Sequence, residues 1–140
     1  MHKLRRYLVA GRYFREVTRS VGDCVSFPIF VENSRVPVWL SALSPITIGA
    51  ITLGPVVFSR GDIGPVMRNH ETIHWKQYKE TLIVGFLLLY ALFYIIGLIK
   101  YRSGSMAYYN IPFELEAYQN EEDFGYTFHR KRWAWLSYLR

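Results

Sequence analysis

The chain has 140 residues, enough for one domain with a modest core and too few for a second domain of ordinary size. Hydrophobic residues make up 51% of it and aromatic residues 17%, which favours a membrane-facing surface. Lys and Arg number 17 against 11 Asp and Glu, a formal net charge of +6 that suits contact with anionic lipid. A single cysteine, Cys24, excludes an internal disulfide and a cysteine-based metal cluster.

The first part of the chain is predicted to be a basic amphipathic helix. Between Leu4 and Val21, apolar residues recur at near-helical spacing among many arginines, and Glu16 is the only acid. We expect either a helix on a membrane surface or an ordinary surface helix, and we expect no secretory signal, because arginines interrupt the apolar stretch that one would need. No nucleic-acid-binding motif accompanies the charge. Residues 1–35 are therefore assigned to an N-terminal region and residues 36–140 to a single membrane-associated domain.

A stretch without charged residues follows, from Val36 to Ser59. Its prolines and glycines divide it into pieces too short to span a membrane as helix. β-Branched residues instead predict strands at 46–48, 51–53 and 56–58, which would form a small hairpin or meander. A strand in this place could bind an extended peptide along its edge.

The segment from His70 to His74 reads HETIH and matches the pattern H-E-x-x-H. Pro65 before it, with Asp62 as a possible cap, predicts that the pattern lies on a helix. Residues four apart share one helix face, so both imidazoles could hold one Zn²⁺ ion, with Glu71 placed to act on a water. Two unrelated surface histidines would match the pattern too, so a third ligand matters.

A second predicted helix offers that ligand. Asn110 and Pro112 are helix-start residues, which places Glu114 in a first turn. Glu116 competes with Glu114, but residues two apart on a helix point roughly 160° apart, so only one can face the metal. Ala117, on nearly the same face as Glu114, is small enough to let the two helices approach closely.

The uncharged run at residues 81–99 is long enough to be a transmembrane helix. Ligands of one ion must lie within a few ångströms, however, and a straight crossing would put Glu114 on the far side of the bilayer. If Glu114 is a ligand, the run must bend, and we expect the bend near Gly85 or Gly97. The run would then dip into the membrane as a hairpin or lie in its interface, with a single crossing as the alternative.

These motifs together resemble the gluzincin class of zinc metallopeptidases, which carry H-E-x-x-H on one helix and a glutamate ligand on a second. The E-x-x-A segment of Glu114 and Ala117 is similar to the glutamate helix of the membrane CAAX-prenyl endopeptidase group, although Tyr118 stands where that group usually has Asp. The combination of ITLGPVVF, NHETIHWKQY and PFELEAY resembles a group of short bacterial proteins often taken for membrane-associated peptidases. That likeness covers roughly residues 46–126.

The resemblance implies that His70, His74 and Glu114 bind Zn²⁺ and that Glu71 is the general base. It agrees with a small α+β, zincin-like domain: a short β-hairpin or meander, the H-E-x-x-H helix, a hydrophobic helix or helical hairpin, and a glutamate-bearing helix. The following are candidates to stabilise an oxyanion: Tyr78, Tyr108, Tyr109 and Tyr118. Two further polar residues either orient the ligands or are simply exposed on the helix: Asn69 and Gln77.

The leading interpretation is a zinc metallopeptidase associated with the bacterial inner membrane. Its expected partners are the lipid surface, a peptide or protein substrate and other membrane proteins, and not nucleic acid. One alternative is a non-catalytic small membrane subunit or pseudo-peptidase with a structural or vestigial metal site. Another is a zinc hydrolase that acts on a lipid or a different amide, because the motif does not specify the scissile bond.

Overall fold

The computed structural model describes residues 28–42, 44 and 46–139, so the predicted N-terminal amphipathic helix lies outside the described residues. The described part is a small α+β fold in which a three-stranded mixed sheet precedes several helices, and the predicted fold class is confirmed. The elements in chain order are β1 (Ile29–Val31), α1 (Val36–Ser41), β2 (Ala50–Leu53), β3 (Val56–Ser59), α2 (Pro65–Thr81), α3 (Ile83–Tyr101), α4 (Gly104–Tyr109), α5 (Pro112–Asn120), α6 (Tyr126–His129) and a 3₁₀ helix (Ala134–Tyr138).

The sheet has the strand order β1-β3-β2, with β1 parallel and β2 antiparallel to β3. Gly54, at φ 60°, makes the tight turn of the predicted hairpin between β2 and β3. The predicted strand at 46–48 is wrong, because the backbone N–H of Ile48 donates to the hydroxyl of Ser41 at 2.9 Å and not to a strand. The third strand is β1, which lies within the predicted N-terminal region 1–35. The division of the chain at residue 36 stays a prediction.

Helix α2 begins at Pro65, as the sequence predicts, and carries the H-E-x-x-H segment. Gly64 is its N-cap in an extended conformation, without a side-chain cap. The predicted cap, Asp62, instead accepts a hydrogen bond from the side chain of Asn33 at 3.3 Å. Proline at the first helical position needs no N–H partner, so this helix start does not depend on a side-chain cap.

Helix α3 follows α2 after a single residue, Leu82, which has φ 61°. The predicted break in the apolar run lies at Leu82 and not at Gly85 or Gly97, since both glycines lie inside one continuous helix from Ile83 to Tyr101. Gly97 has a packing role instead: a Cβ atom there would lie 2.9 Å from the Cα of Ala107. The absent side chain lets α4 lie directly against α3.

The two faces of α3 differ in composition. Its inward face is aromatic, where Phe86 is buried and Leu89, Tyr90, Phe93 and Tyr94 are partly buried against the core. Its outward face is aliphatic, and only 11% of the most apolar part of the helix is buried. By length and composition α3 could cross a membrane. The exposed aliphatic residues are Ile83, Val84, Leu87, Leu88, Leu92, Ile95, Ile96 and Ile99.

The core joins three helices through stacked rings. Phe86 of α3 stacks on Tyr78 of α2 and on Phe113 of α5, with ring centroids 3.9 Å and 4.6 Å apart. Trp135, in the C-terminal 3₁₀ helix, packs against Phe113. Aromatic pairs in such arrangements add to the energy of burial itself. This cluster holds α2, α3 and α5 against one another.

Candidate metal centre

Helices α2 and α5 bring three buried side chains together: His70, His74 and Glu114. The Nε2 atoms of the two histidines lie 3.1 Å apart. Oε2 of Glu114 lies 3.6 Å from Nε2 of His70, and Oε1 of Glu114 lies 3.5 Å from Nε2 of His74. A tetrahedral ion with ligands at about 2.0–2.1 Å would separate its ligand atoms by roughly 3.3 Å. The three groups therefore fit around one small cation.

The carboxylate of Glu114 has one oxygen with a partner and one without. Oε1 accepts a hydrogen bond from the hydroxyl of Tyr90 at 2.8 Å. Oε2 is buried and accepts no hydrogen bond within the part of the chain that the structure describes. Burial alone would raise the pKa of Glu114, but His74 and His70 lower it below its ordinary value. A buried anionic oxygen without a donor is expensive, and a cation at this position would satisfy it.

Both histidines are supported at the ring nitrogen that faces away from Glu114. His70 Nδ1 lies 2.8 Å from a carboxylate oxygen of Glu121, and His74 Nδ1 lies 2.8 Å from the side-chain oxygen of Gln77. Both oxygens accept, so each Nδ1 carries a hydrogen, and each Nε2 faces the group of three. Metal-binding histidines are typically held in this way. Burial lowers the pKa of His70, but Glu114 and Glu121 outweigh it and raise the pKa to about 10.

Glu71, the predicted general base, is buried beside the histidines on α2. Its Oε2 accepts a hydrogen bond from the hydroxyl of Thr52 at 2.6 Å. Thr52 is itself buried in β2, and its carbonyl accepts a hydrogen bond from Tyr78 at 3.1 Å. The sheet thus fixes the orientation of the Glu71 carboxylate.

A cavity of about 390 Å³ lies over these groups, between β2 and α3. His70, His74, Glu71 and Glu114 contribute polar surface, and most other lining residues are apolar or aromatic. Apolar walls with a few convergent polar groups are typical of ligand sites. Through this cavity, part of a ligand could reach His70, His74 and Glu114.

Glu116, the competing ligand, points away from the histidines. It is fully buried and accepts hydrogen bonds from Gln77, Tyr126 and Arg130. The structure therefore places Glu114, and not Glu116, beside His70 and His74.

The four candidate tyrosines divide into two pairs. Tyr78 and Tyr108 line the cavity, whereas Tyr109 and Tyr118 are 47% and 41% exposed. Burial raises the pKa of Tyr78 to about 12, with Glu71 acting in the same direction, so its hydroxyl stays protonated at neutral pH. The ring of Tyr118 meets that of His70 edge-on at 4.7 Å.

Asn69 and Gln77 are buried, so the alternative prediction that they are merely exposed polar residues of the helix is wrong for both. Gln77 contacts His74 directly. Asn69 donates to three backbone carbonyls at the end of α5, including that of Glu121 at 2.9 Å. Asn69 thereby acts on the site through the position of Glu121.

Three contacts at the site were not predicted from the sequence. Tyr90 lies within an apolar run, Glu121 follows the end of α5, and Thr52 lies on a strand. No short motif marks any of them. The one available signal is the pair of tyrosine hydroxyls in the apolar run, Tyr90 and Tyr94, which lie four positions apart and so on one helix face.

No family model matches the chain, and no curated protein or solved structure is similar to it. The gluzincin resemblance thus depends on the motifs and on the buried His-His-Glu group, which do not assign a family.

Proposed function

We propose that this protein is a membrane-associated zinc metallopeptidase. The observation that carries the proposal is the convergence of His70, His74 and Glu114, with Glu71 buried beside them and one Glu114 oxygen that finds no donor among the described residues. Two histidines and one glutamate are a common protein ligand set of catalytic zinc, which keeps a further position for water or substrate. The described residues group three such ligands here, in agreement with an open site.

Zn²⁺ held by this group would supply a Lewis acid that activates water and polarises a carbonyl. Glu71 accepts a proton from the attacking water and passes it to the leaving amine. Thr52 keeps the Glu71 carboxylate in place for both transfers through its 2.6 Å hydrogen bond. Tyr108 lines the cavity, and its hydroxyl is the candidate donor to a developing oxyanion, because the single hydroxyl proton of Tyr78 is already donated to the Thr52 carbonyl.

The geometry of β2 supports an extended peptide as the substrate. Within the described sheet, β2 is an outer strand and borders the cavity. The backbone hydrogen bond from Arg60 to Gly49 sets the alternation of the hairpin, so the backbone groups of Ala50 and Thr52 face away from β3. A peptide strand added at this edge would lie along the cavity, with its backbone next to Glu71.

The aliphatic face of α3 supports the membrane association. Its 19 residues span roughly 28 Å at about 1.5 Å per residue, close to the hydrocarbon thickness of about 30 Å. Contiguous apolar surface of this size is rare on proteins surrounded by water. We propose that lipid covers this face at the bacterial inner membrane, in an interfacial, hairpin or single-crossing arrangement.

Metal content and hydrolysis, measured together on the protein in phospholipid vesicles, test the proposal. Wild-type protein should carry one Zn²⁺ per chain and cleave members of an extended peptide library. Glu71→Gln should retain zinc and lose hydrolysis, whereas Glu122→Gln, a matched change at an exposed position, should retain both.

Wild-type protein without stoichiometric zinc would contradict the proposal. Stoichiometric zinc with no hydrolysis of peptides, lipids or other amides would replace it with a structural metal site in a non-catalytic subunit.

A further inference from the structure

A buried charge cluster lies on the other side of α5 from the histidines. The guanidinium of Arg130 pairs with the carboxylates of Glu116 and Glu80. These three side chains are 3%, 0% and 7% exposed. Charged groups this deeply buried require a full set of hydrogen-bond partners.

Glu116 has that full set. It accepts from Arg130 through Nε and through Nη2, the latter at 3.1 Å, from Gln77 at 3.0 Å and from Tyr126 at 3.0 Å. A carboxylate offers about four acceptor positions, and donors fill all of them here. Glu116 is thereby fixed as an acceptor toward Gln77.

The orientation of the Gln77 amide follows from its neighbours. Its nitrogen lies 3.1 Å from the carbonyl oxygen of Phe113 and 3.0 Å from Oε2 of Glu116, both of which only accept. The amide oxygen therefore faces His74 Nδ1, at 2.8 Å. The opposite orientation would place the amide oxygen against two acceptors, so it is excluded.

This orientation decides which nitrogen of His74 is free. Because the amide oxygen accepts, a hydrogen lies on Nδ1, and Nε2, which faces Glu114 and His70, is the nitrogen that a metal ion would take in place of a proton. A reversed amide would donate to Nδ1 and leave the hydrogen on Nε2, where it would occupy the direction that a metal ligand needs. The acceptor that Gln77 presents is thus matched to metal binding.

We propose that Gln77 is the positioning residue for His74, and that Glu116 and Arg130 support its orientation. Arg130, in the segment after α5, then contributes to metal affinity without contacting a ligand. The inference depends on the metal site of the proposed function and not on hydrolysis. The groups that support the two histidines differ in burial. Gln77 and Glu116 behind His74 are fully buried, whereas the carboxylate of Glu121, which supports His70, is 24% exposed.

The test is the zinc affinity of the full-length chain, measured by competition with a chelator. Gln77→Met keeps the length of the side chain and removes both its donor and its acceptor. We expect affinity to fall by roughly 10–100-fold, the usual effect of removing a partner of a metal-binding histidine. The visible spectrum of the Co²⁺-loaded variant should also change, because the imidazole of His74 loses its fixed orientation.

The matched control is Gln119→Met, the same change at an exposed position of α5. We expect its zinc affinity and Co²⁺ spectrum to stay close to wild type. Denaturant unfolding of both metal-free variants separates affinity from stability. Loss of stability without loss of affinity in Gln77→Met would overturn the proposal, as would an equal loss of affinity in Gln119→Met.

Glu116→Gln keeps the volume of the side chain and is the second variant, for use if Gln77→Met fails to fold. It should weaken zinc binding by up to about tenfold, because the charge that fixes the Gln77 amide is lost. Unchanged affinity would overturn the support by Glu116. If the wild-type protein binds no zinc, the metal site itself is contradicted. If the wild-type protein and the variants bind zinc equally well, the metal site stands and only the positioning role of Gln77 is contradicted.

Discussion

Glu114 and Glu116 lie two residues apart on α5, are both buried and have opposite surroundings. Hydrogen-bond donors occupy the acceptor positions of the Glu116 carboxylate, which faces the guanidinium of Arg130. Glu114 faces two imidazoles and keeps one oxygen without a donor among the described residues. One side of the helix contains its own cation, whereas the other side has the shape and charge to receive one.

The difference shows that burial of a carboxylate does not by itself indicate a metal site. Both glutamates are buried and lie in the same helix, so neither burial nor the position in the helix distinguishes a metal ligand from a structural residue. What separates them is whether the protein supplies enough donors to satisfy the charge. A buried anion that lacks a donor is the informative feature, because proteins rarely leave such a group without compensation.

The largest expected effect separates the two carboxylates directly. Glu114→Gln should abolish stoichiometric zinc binding, a loss greater than the roughly 10–100-fold expected for a residue that only supports a ligand. Glu116→Gln should still bind one ion per chain. Metal analysis after dialysis measures both, and equal loss in the two variants would break the comparison.

The next effect concerns the cation that the protein supplies itself. Arg130→Met leaves Glu80 and Glu116 buried without their partner and should lower the free energy of unfolding by about 3–5 kcal/mol. Arg68→Met removes an ion pair to Glu32 whose side chains are 30% and 36% exposed, and should cost about 0–1 kcal/mol. Urea unfolding of the metal-free proteins compares the two, and similar losses would contradict the buried role of Arg130.

A smaller effect is expected at Tyr90, which donates a hydrogen bond to Glu114. Tyr90→Phe removes the hydrogen bond to Oε1 and should weaken zinc binding by about tenfold, because the carboxylate is held less firmly. Tyr94→Phe, the same change one turn further along α3, should bind zinc as wild type does. Chelator competition distinguishes them, and the expectation fails if both variants match the wild type.

A pH dependence is also expected, on the side of α5 that faces the histidines. Burial lowers the pKa of His70, but Glu114 and Glu121 raise it to about 10 from 6.5. Its contribution to stability is complete below pH 6.5 and is lost as pH rises toward 10. Metal-free protein should therefore become less stable across this range, while zinc-loaded protein should not. Thermal unfolding at a series of pH values checks this, and a flat profile for the metal-free protein would contradict it.

Local sequence signals were sufficient for the centre of the site. Pro65 and Pro112 begin the two helices that carry the ligands, and residues four apart on a helix share a face whatever surrounds them. The hairpin of β2 and β3 is also local, since Gly54 marks its turn. These elements depend on neighbours within a few positions along the chain.

The remaining contacts depend on residues distant in sequence. β1 pairs in parallel with β3, which follows it in the chain only after α1 and β2, and Arg130 pairs with Glu80, fifty positions away. Such pairings leave no pattern within a short window, so the sequence could not reveal them. The glycines of the apolar run were misinterpreted for a different reason: Gly97 admits Ala107 of the next helix, and in a sequence such a glycine looks the same as one that bends its own helix.

Leu82 adopts φ 61° and ψ 164°, a backbone region that essentially only glycine occupies without strain. Its side chain is 73% exposed, so little side-chain burial offsets a strain of about 1–3 kcal/mol. Contacts on both sides of the joint must hold it, among them the stack of Phe86 on Tyr78 and the hydrogen bond of Tyr90 to Glu114. The strain at this junction is therefore held by the contacts around it. If those contacts are weakened, we expect the backbone of Leu82 to relax, the angle between α2 and α3 to change and Tyr90 to move away from the Glu114 carboxylate.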